Sequence, residues 1–519
     1  MEKYVIAYDL GTKSNKAVIF DLKLNLISQT TEKYPITYPK KGWAEQNPND
    51  YWNSIVQTTH RLIRNGNVKK DEIAALSFDC QMNCTIPINS DGNPLMNSIS
   101  WLDTRAASIT QENFSKGLKI SGYGLKTILM FLKITGGAPG FNGKDPISHI
   151  IWIKQNEPEI YKNTFKFLSV KDYVIYKCTG NAVISRDLAN TAWLMDTNPN
   201  KFNWSSKILE KFNIDKEKLP TIKKSSELAG KLTKNAAESL DLKPETPVFV
   251  GSGDITACAL GSGAIQNNQM IACLGTADWI GTHSSKRKKD IKHYTGAMCS
   301  AQENYLCLSK QETGAACLDW VIEQFFRDLV KKFENKPSDL YPEIDSIVKK
   351  TNVGSKSLIF TPWMFGERSP INDSKVRGGF YNVALNQDRD DILRAVYEGI
   401  AYNIRWGLFY VEKLIGKSKN VNLVGGGANS EIWCQILADA LDRNINQMKD
   451  PGIAGAKGSA IVALVGLGKL NSFLDAAALV KINKTFEPNP ENTKIYNSIY
   501  EEFINIYERN KEMFKVLNP

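Results

Sequence analysis

The sequence predicts an α/β protein built from two domains, and three observations lead there. Runs of apolar and β-branched residues alternate with stretches that are apolar at helical spacing, the pattern of sheets covered by helices. The chain's 519 residues exceed what one hydrophobic core serves and suit two domains of roughly 250 residues each. One strand–turn–strand signature also occurs twice, once in each half, so internal duplication is expected.

The first copy is residues 5–20, VIAYDLGTKSNKAVIF, which read as a strand, a tight Gly-Thr turn and a second strand. This is either an ordinary N-terminal hairpin or a phosphate cradle. Asp9 stands at a strand edge beside backbone N–H groups, where concave backbone binds phosphate oxygens and a nearby Asp holds the accompanying Mg²⁺. Residues 73–78, IAALSF, form a buried strand that ends in Gln81-Met82-Asn83-Cys84. A turn over residues 89–94 and the segment 99–105, ISWLDTR, follow. Polar residues just past strand ends are where open α/β sheets build ligand sites.

The proline-bracketed stretch 242–247 is the expected linker, dividing residues 1–247 from residues 248–519. Past it, Gly251-Ser252-Gly253-Asp254 places three small residues before a carboxylate. That allows another group to approach Asp254 closely, or makes a glycine-rich turn with a solvated acid. The second hairpin copy is residues 269–282, with Gly275-Thr276 at its turn. Late in the chain, residues 421–430 run strand, glycine triplet, helix start. Glycine there lets a flat ligand such as a purine lie on bare backbone, although many strand–helix turns share the feature. Tyr496, Ile499, Tyr500, Phe503, Ile506 and Tyr507 recur at helical spacing and read as the packed face of a terminal helix.

Hydrophobic content of 42% and charged content of 23% are those of a soluble globular chain. No apolar run approaches the ~20 residues that span a bilayer. Met1-Glu2-Lys3-Tyr4 leads straight into a strand with no signal peptide, so no membrane partner and a cytoplasmic location are expected. Nine scattered cysteines read as reduced thiols, and the four isolated histidines form no metal motif. The net charge of +10 is diffuse. Its sharpest cluster, Lys286-Arg287-Lys288-Lys289, lacks interleaved aromatics and reads as a solvated loop, not a nucleic-acid patch. A mildly basic surface suits anionic small ligands without identifying them.

Taken in order, these segments resemble the FGGY family of carbohydrate kinases, and within it the xylulokinase-like branch. The resemblance rests on Asp9-Leu10-Gly11-Thr12, residues 42–48 (GWAEQNP) with Trp52, Gln81-Met82 and residues 101–105 (WLDTR). It continues through residues 152–159 (WIKQNEPE), Lys171-Asp172-Tyr173, residues 251–254 (GSGD) and Gly275-Thr276. Residues 366–370 (GERSP), 394–399 (RAVYEG) and 425–428 (GGGA) complete it, so that it spans nearly the whole length.

That resemblance implies two ribonuclease-H-like, actin-like ATPase domains around a central cleft, the N-terminal one sugar-binding and the C-terminal one ATP-binding. It implies an ATP-dependent kinase with ATP and Mg²⁺ as cofactors and a small sugar as partner, and leaves a homodimer open. Carried over by position, Asp254 matches the catalytic Asp, and Asp9, with Asp254, the metal-holding position. Gly11, Thr12 and Lys13, and Gly275 with Thr276, match the two phosphate turns. Gly314, Gly425, Gly426, Gly427 and Asn429 match the adenosine region. Gln81, Met82, Asn83, Trp101, Asp103, Asp254 and Ile255 are the sugar-facing positions.

Four positions depart from the pattern: Asn83 stands where His is common, Ile255 where an amide is common, His149 where Lys is expected, and Ala277 where Ser is usual. Asn83 and Ile255 fall on sugar-facing positions, and one missing hydrogen-bond partner can shift substrate preference by orders of magnitude. D-Xylulose, converted to D-xylulose 5-phosphate, is the leading expectation. Ribulose, L-xylulose, erythritol or a small dihydroxy signal molecule are alternatives. A non-catalytic actin-like ATP-binding protein is the reading from another class.

Overall fold

The computed structural model describes residues 3–120 and 122–518. The chain divides into two compact units. The first comprises Met1–Gly261, Met298–Tyr305 and Ile453–Leu479, and the second comprises Ser262–Ala297, Leu306–Gly452 and Val480–Pro519.

The first unit is organised by one sheet with strands β1 (Tyr4–Leu10), β2 (Ser14–Asp21), β3 (Leu26–Lys33), β4 (Ile73–Cys80), β5 (Leu228–Lys231), β6 (Pro247–Phe249) and β7 (Ser252–Gly253). Their order is β5-β6-β4-β1-β2-β3, with β7 also beside β4. β1 to β3 are antiparallel neighbours, whereas β4 runs parallel to β1 and β6 parallel to β4. β4 is buried along its whole length and β1 along most of it, as continuous apolar strands covered on both faces must be. β3 is polar and largely exposed, which suits an edge.

The helix Pro48–Gly66 packs on this sheet. Asn47 caps it by accepting the Asn49 N–H, and Asn67 closes it in the left-handed conformation at φ 48°. The helix Ala454–Gly466 is buried almost throughout, the mark of a helix apolar on all sides. It lies against the helix Asp254–Gly261 with glycine at the contacts. A side-chain carbon at Gly458 would collide with the Ala257 carbonyl, and one at Gly261 with the Ala454 carbonyl.

This arrangement differs from the expected division at residue 247. β6 pairs with β5 and β4, so the proline-bracketed stretch runs into the first sheet, and the division falls at Gly261/Ser262. Residues 453–479 also return to the first unit, because their apolar, glycine-bearing helix packs there.

The second unit repeats the plan. Strands β8 (Met270–Cys273), β9 (Trp279–Ser284), β10 (Tyr305–Lys310), β11 (Asn420–Val424), β12 (Asn444–Met448) and β13 (Ile482–Phe486) run in the order β10-β9-β8-β11-β12-β13, and two further strands lie beyond β10. β8 and β9 form the second Gly-Thr hairpin, β11 is parallel to β8, β12 parallel to β11, and β13 antiparallel at the edge. In the first sheet the same sequence of relationships is β2-β1-β4-β6-β5, so the duplication read from the two hairpins extends to the sheets.

The core of the second unit is aromatic. Trp363, Trp433, Tyr397, Tyr402, Tyr496 and Phe503 are buried there, so the terminal stripe is core as expected. Within it Arg394 bonds Glu398 at 2.7 Å and Tyr496 at 2.9 Å, while Glu398 accepts from Gly354 N–H and the Ser355 hydroxyl. The motif at residues 394–399 is therefore a framework feature: a buried charge pair with its remaining valences satisfied.

Candidate active site

In the first unit the parallel register decides which residues meet. Asp9 on β1 is the partner of Asp79 on β4, and Ser252 on β7 is also the partner of Asp79. Gly253 pairs with Cys80, so the segments 81–83 and 254–255 leave the sheet side by side. The contact is direct, since a side-chain carbon at Gly253 would lie 2.7 Å from Met82 Cε. Asp254 begins the helix Asp254–Gly261, its Oδ1 accepting the Ile255 N–H at 2.8 Å.

Asp79 is fully buried. Its Oδ2 accepts the Ser459 hydroxyl at 2.7 Å, and its Oδ1 has no hydrogen-bond partner among the described residues. Burial, followed by the negative charge of Asp9, pushes the Asp79 carboxyl well above the usual carboxylate range. Asp9 is half-buried, and Lys16 Nζ lies 3.8 Å from its Oδ2. Next to Asp9, the turn is closed by Gly11 N–H donating to Ser14 O at 3.0 Å. Thr12 Oγ1 accepts from Trp101 Nε1 at 3.0 Å, and Lys13 is exposed.

Gln81 is buried, with Nε2 donating to Gln46 Oε1 at 2.8 Å. Asn83 adopts φ 61°, a left-handed conformation that Asn tolerates better than most residues. It donates to Asp145 Oδ1 at 3.1 Å, and its own buried Oδ1 has no partner among the described residues. His149 is buried with Nδ1 3.0 Å from Thr85 Oγ1. Burial, reinforced by the Arg105 charge, lowers its pKa to about 3, so it is a neutral imidazole at physiological pH.

Asp103 is wholly buried within its own loop. It accepts Ala44 N–H at 2.6 Å and binds Arg105, which also bonds Glu45 at 2.6 Å and lies 3.6 Å over the Trp43 ring. The motifs at residues 42–48 and 101–105 thus interlock around one guanidinium, with Trp152 beneath it at 5.0 Å.

In the second unit, Gly275 N–H donates to Asp278 Oδ1 at 3.1 Å. The Gly275 and Thr276 carbonyls accept the N–H groups of Ala315 at 2.8 Å and Gly314 at 3.0 Å. This docks the N-terminus of the helix Ala315–Phe325 on the turn, and Gly314 has no room for a side chain because a Cβ would fall in the Asp278 carboxylate. Gly427 N–H donates to Leu274 O at 3.0 Å, Gly425 adopts φ 95°, and Gly426 faces open space. Asn429 is exposed and donates to Gly426 O at 2.9 Å. Gly275, Thr276, Gly314, Gly425, Gly426, Gly427 and Asn429 therefore form one bare-backbone region at the ends of β8 and β11.

A family model described as the FGGY family of carbohydrate kinases, N-terminal domain, matches residues 4–261, and the model of the family's C-terminal domain matches residues 270–467. The chain belongs to the FGGY family of carbohydrate kinases. It is a xylulokinase-like, ATP-dependent sugar kinase. Among curated members of the FGGY family, a xylulose kinase of Lactococcus lactis is 29% identical over 525 residues, covering 98% of this chain and 97% of its own. A gluconokinase of Bacillus subtilis is 25% identical over 507 residues, covering 98% and 96%. The crystal structure of a ligand-bound xylulose kinase from Lactobacillus acidophilus matches with a TM-score of 0.87 at 24% identity, over 99% of this chain and 100% of that one. That likeness establishes the ribonuclease-H-like, actin-like fold for each unit of this FGGY kinase.

FGGY kinases use ATP with Mg²⁺, and the carboxylates here fit such an ion. A side-chain carbon at Gly455 would lie 3.1 Å from Asp9 Oδ2 and 3.2 Å from Asp79 Oδ1, so bare backbone stands where any side chain would crowd both carboxylates. Mg²⁺ is held through one or two carboxylates, and half-buried Asp9 is a carboxylate that can serve. Asp79 and Gly455 were not singled out from the sequence. The available signal was an acid extending the apolar run of residues 73–78.

Proposed function

We propose that this FGGY kinase phosphorylates the terminal hydroxyl of a ketopentose, with D-xylulose giving D-xylulose 5-phosphate as the first-ranked reaction. The observation that carries the reading is the contact of Met82 with Gly253. It brings the segment expected to read the sugar against the turn that presents Asp254. Asp254 would orient the acceptor hydroxyl. As the sugar oxygen bonds to the γ-phosphorus, the bond from that phosphorus to the bridging oxygen breaks and ADP leaves, and the hydroxyl proton passes to the Asp254 carboxylate. A carboxylate is a weak base toward an alcohol, so this proton moves late, and most of the catalysis is alignment and charge stabilisation.

Asp9, with Asp254, would hold Mg²⁺, which when bound neutralises charge on the phosphate oxygens. The Gly11-Thr12-Lys13 and Gly275-Thr276 turns would take phosphate oxygens. The open backbone at Gly426, with Gly314, Gly425, Gly427 and Asn429, would take the adenosine. Gln81, Met82, Asn83, Trp101, Asp103 and Ile255 would shape the sugar side, Asp103 acting through Arg105. A coupled ADP-release assay across D-xylulose, D-ribulose, L-xylulose, erythritol and D-gluconate tests the substrate. The highest kcat/KM is expected on D-xylulose. Preference for D-gluconate, the substrate class in the name of one relative, would replace the ketopentose reading.

A further inference from the structure

We infer that Asp187 is the positioning residue for the Asp254 turn, an inference that rests on the proposed role of Asp254. Asp187 lies in the first turn of the helix Arg186–Thr191 and is fully buried. Its Oδ2 accepts two donors that flank Asp254, the Gly253 N–H at 2.7 Å and the Thr256 hydroxyl. Its Oδ1 accepts the Leu188 N–H at 2.9 Å. A buried carboxylate is costly unless its lone pairs are met, and here three donors meet them, two belonging to the turn that carries the base.

Met82 also abuts the turn, its Cε 2.7 Å from where a side-chain carbon at Gly253 would sit, so Gly253 meets both a sulfur side chain and a carboxylate. The Asp187 helix is itself tied down, because Asn190 Oδ1 accepts the Cys299 N–H at 2.7 Å. Asp187 therefore acts on the direction in which residue 254 leaves the sheet, and through it on the alignment of the acceptor hydroxyl.

An amide at residue 187 keeps the shape but cannot accept at both oxygens. Asp187→Asn is expected to lower kcat by about 10²-fold, the scale of a misplaced catalytic group, with KM for sugar and ATP little changed. Thr256→Val removes one of the two donors, and Thr256→Ser retains it. Val is expected to reproduce part of the kcat loss and Ser to restore the rate. Each variant is assayed on whichever sugar of the panel turns over fastest, with thermal melts and ADP affinity measured alongside. Asp254→Asn is run in parallel. If it retains activity, the reading of Asp254 fails; if it is inactive while Asp187→Asn keeps its kcat, the positioning role alone fails. Parallel loss of melting temperature, ADP affinity and rate in Asp187→Asn, with Thr256→Val indistinguishable from Thr256→Ser, would also overturn it by showing a general structural role.

Discussion

Asp9 and Asp79 are register partners on the parallel strands β1 and β4, and both carboxylates face the bare Cα of Gly455. Glycine at residue 455 leaves both carboxylates without a side chain opposite them, and one of the two, Asp9, is the residue proposed to hold Mg²⁺. Gly455→Val is expected to raise the Mg²⁺ concentration for half-maximal rate by about 10-fold, the scale on which outer-shell changes weaken metal sites. Mg²⁺ titration at saturating ATP, paired with calorimetry of Mg²⁺ and a non-hydrolysable ATP analogue, measures this. An unchanged Mg²⁺ dependence would separate Gly455 from the metal.

The Gly-Thr turn of the second unit is coupled to Gly314 through Asp278. Gly314→Ala would force the Asp278 carboxylate off the Gly275 N–H and disturb the turn. The expected outcome is a higher KM for ATP with the order of sugars unchanged, read by varying ATP at fixed D-xylulose. A changed sugar order would show that this region does more than hold nucleotide.

Asn83 holds a left-handed backbone and an Asp145 contact that histidine would have to reproduce. A neutral imidazole donates one hydrogen bond and a charged one two, whereas the amide donates and accepts at once and does not titrate. Asn83→His is expected to shift preference toward D-xylulose by about 1–2 kcal/mol in kcat/KM relative to the other ketoses. Equal fractional losses on every sugar would mean that Asn83 only packs its loop.

Stability should fall as pH rises through the range set by Glu367. Burial pushes this carboxyl from 4.5 up to about 8, against the opposing bonds from Asn403 Nδ2 and the N–H groups of Glu312 and Arg368. The folded state therefore holds a proton that the unfolded state releases. The contribution is intact below pH 4.5 and is lost as pH rises to about 8, at no more than about 1.4 kcal/mol per pH unit. Thermal melts across that window should show a shallower slope for Glu367→Gln than for wild type. An identical slope would place the titration elsewhere.

What the sequence made legible was its local grammar. The two Gly-Thr hairpins, the Gly251-Ser252-Gly253-Asp254 turn and the glycine triplet at residues 425–427 each follow or join apolar strand residues, and the structure sets each at a strand end. Asp79 was hidden because it sits inside a strand, and only the sheet register shows that it faces Asp9. Asp187 was hidden for a related reason. Its partners, Gly253 and Thr256, are 66 and 69 positions away, and nothing near it in sequence announces a carboxylate with three donors. The return of residues 453–479 to the first unit is a tertiary outcome, set by glycine-mediated helix packing at Gly261 and Gly458. Asp103 shows the converse: its motif is conspicuous in the sequence, yet its oxygens are spent on Ala44 and Arg105.

The most direct test of the central claim, that Asp254 aligns and deprotonates the acceptor hydroxyl, is the single-turnover rate of Asp254→Asn with saturating MgATP and D-xylulose. The expected result is a loss of about 10²–10⁴-fold relative to wild type, the contribution of a positioned base, with ATP affinity within about twofold. A single-turnover rate close to wild type, with sugar phosphate formed at the normal yield, would contradict it.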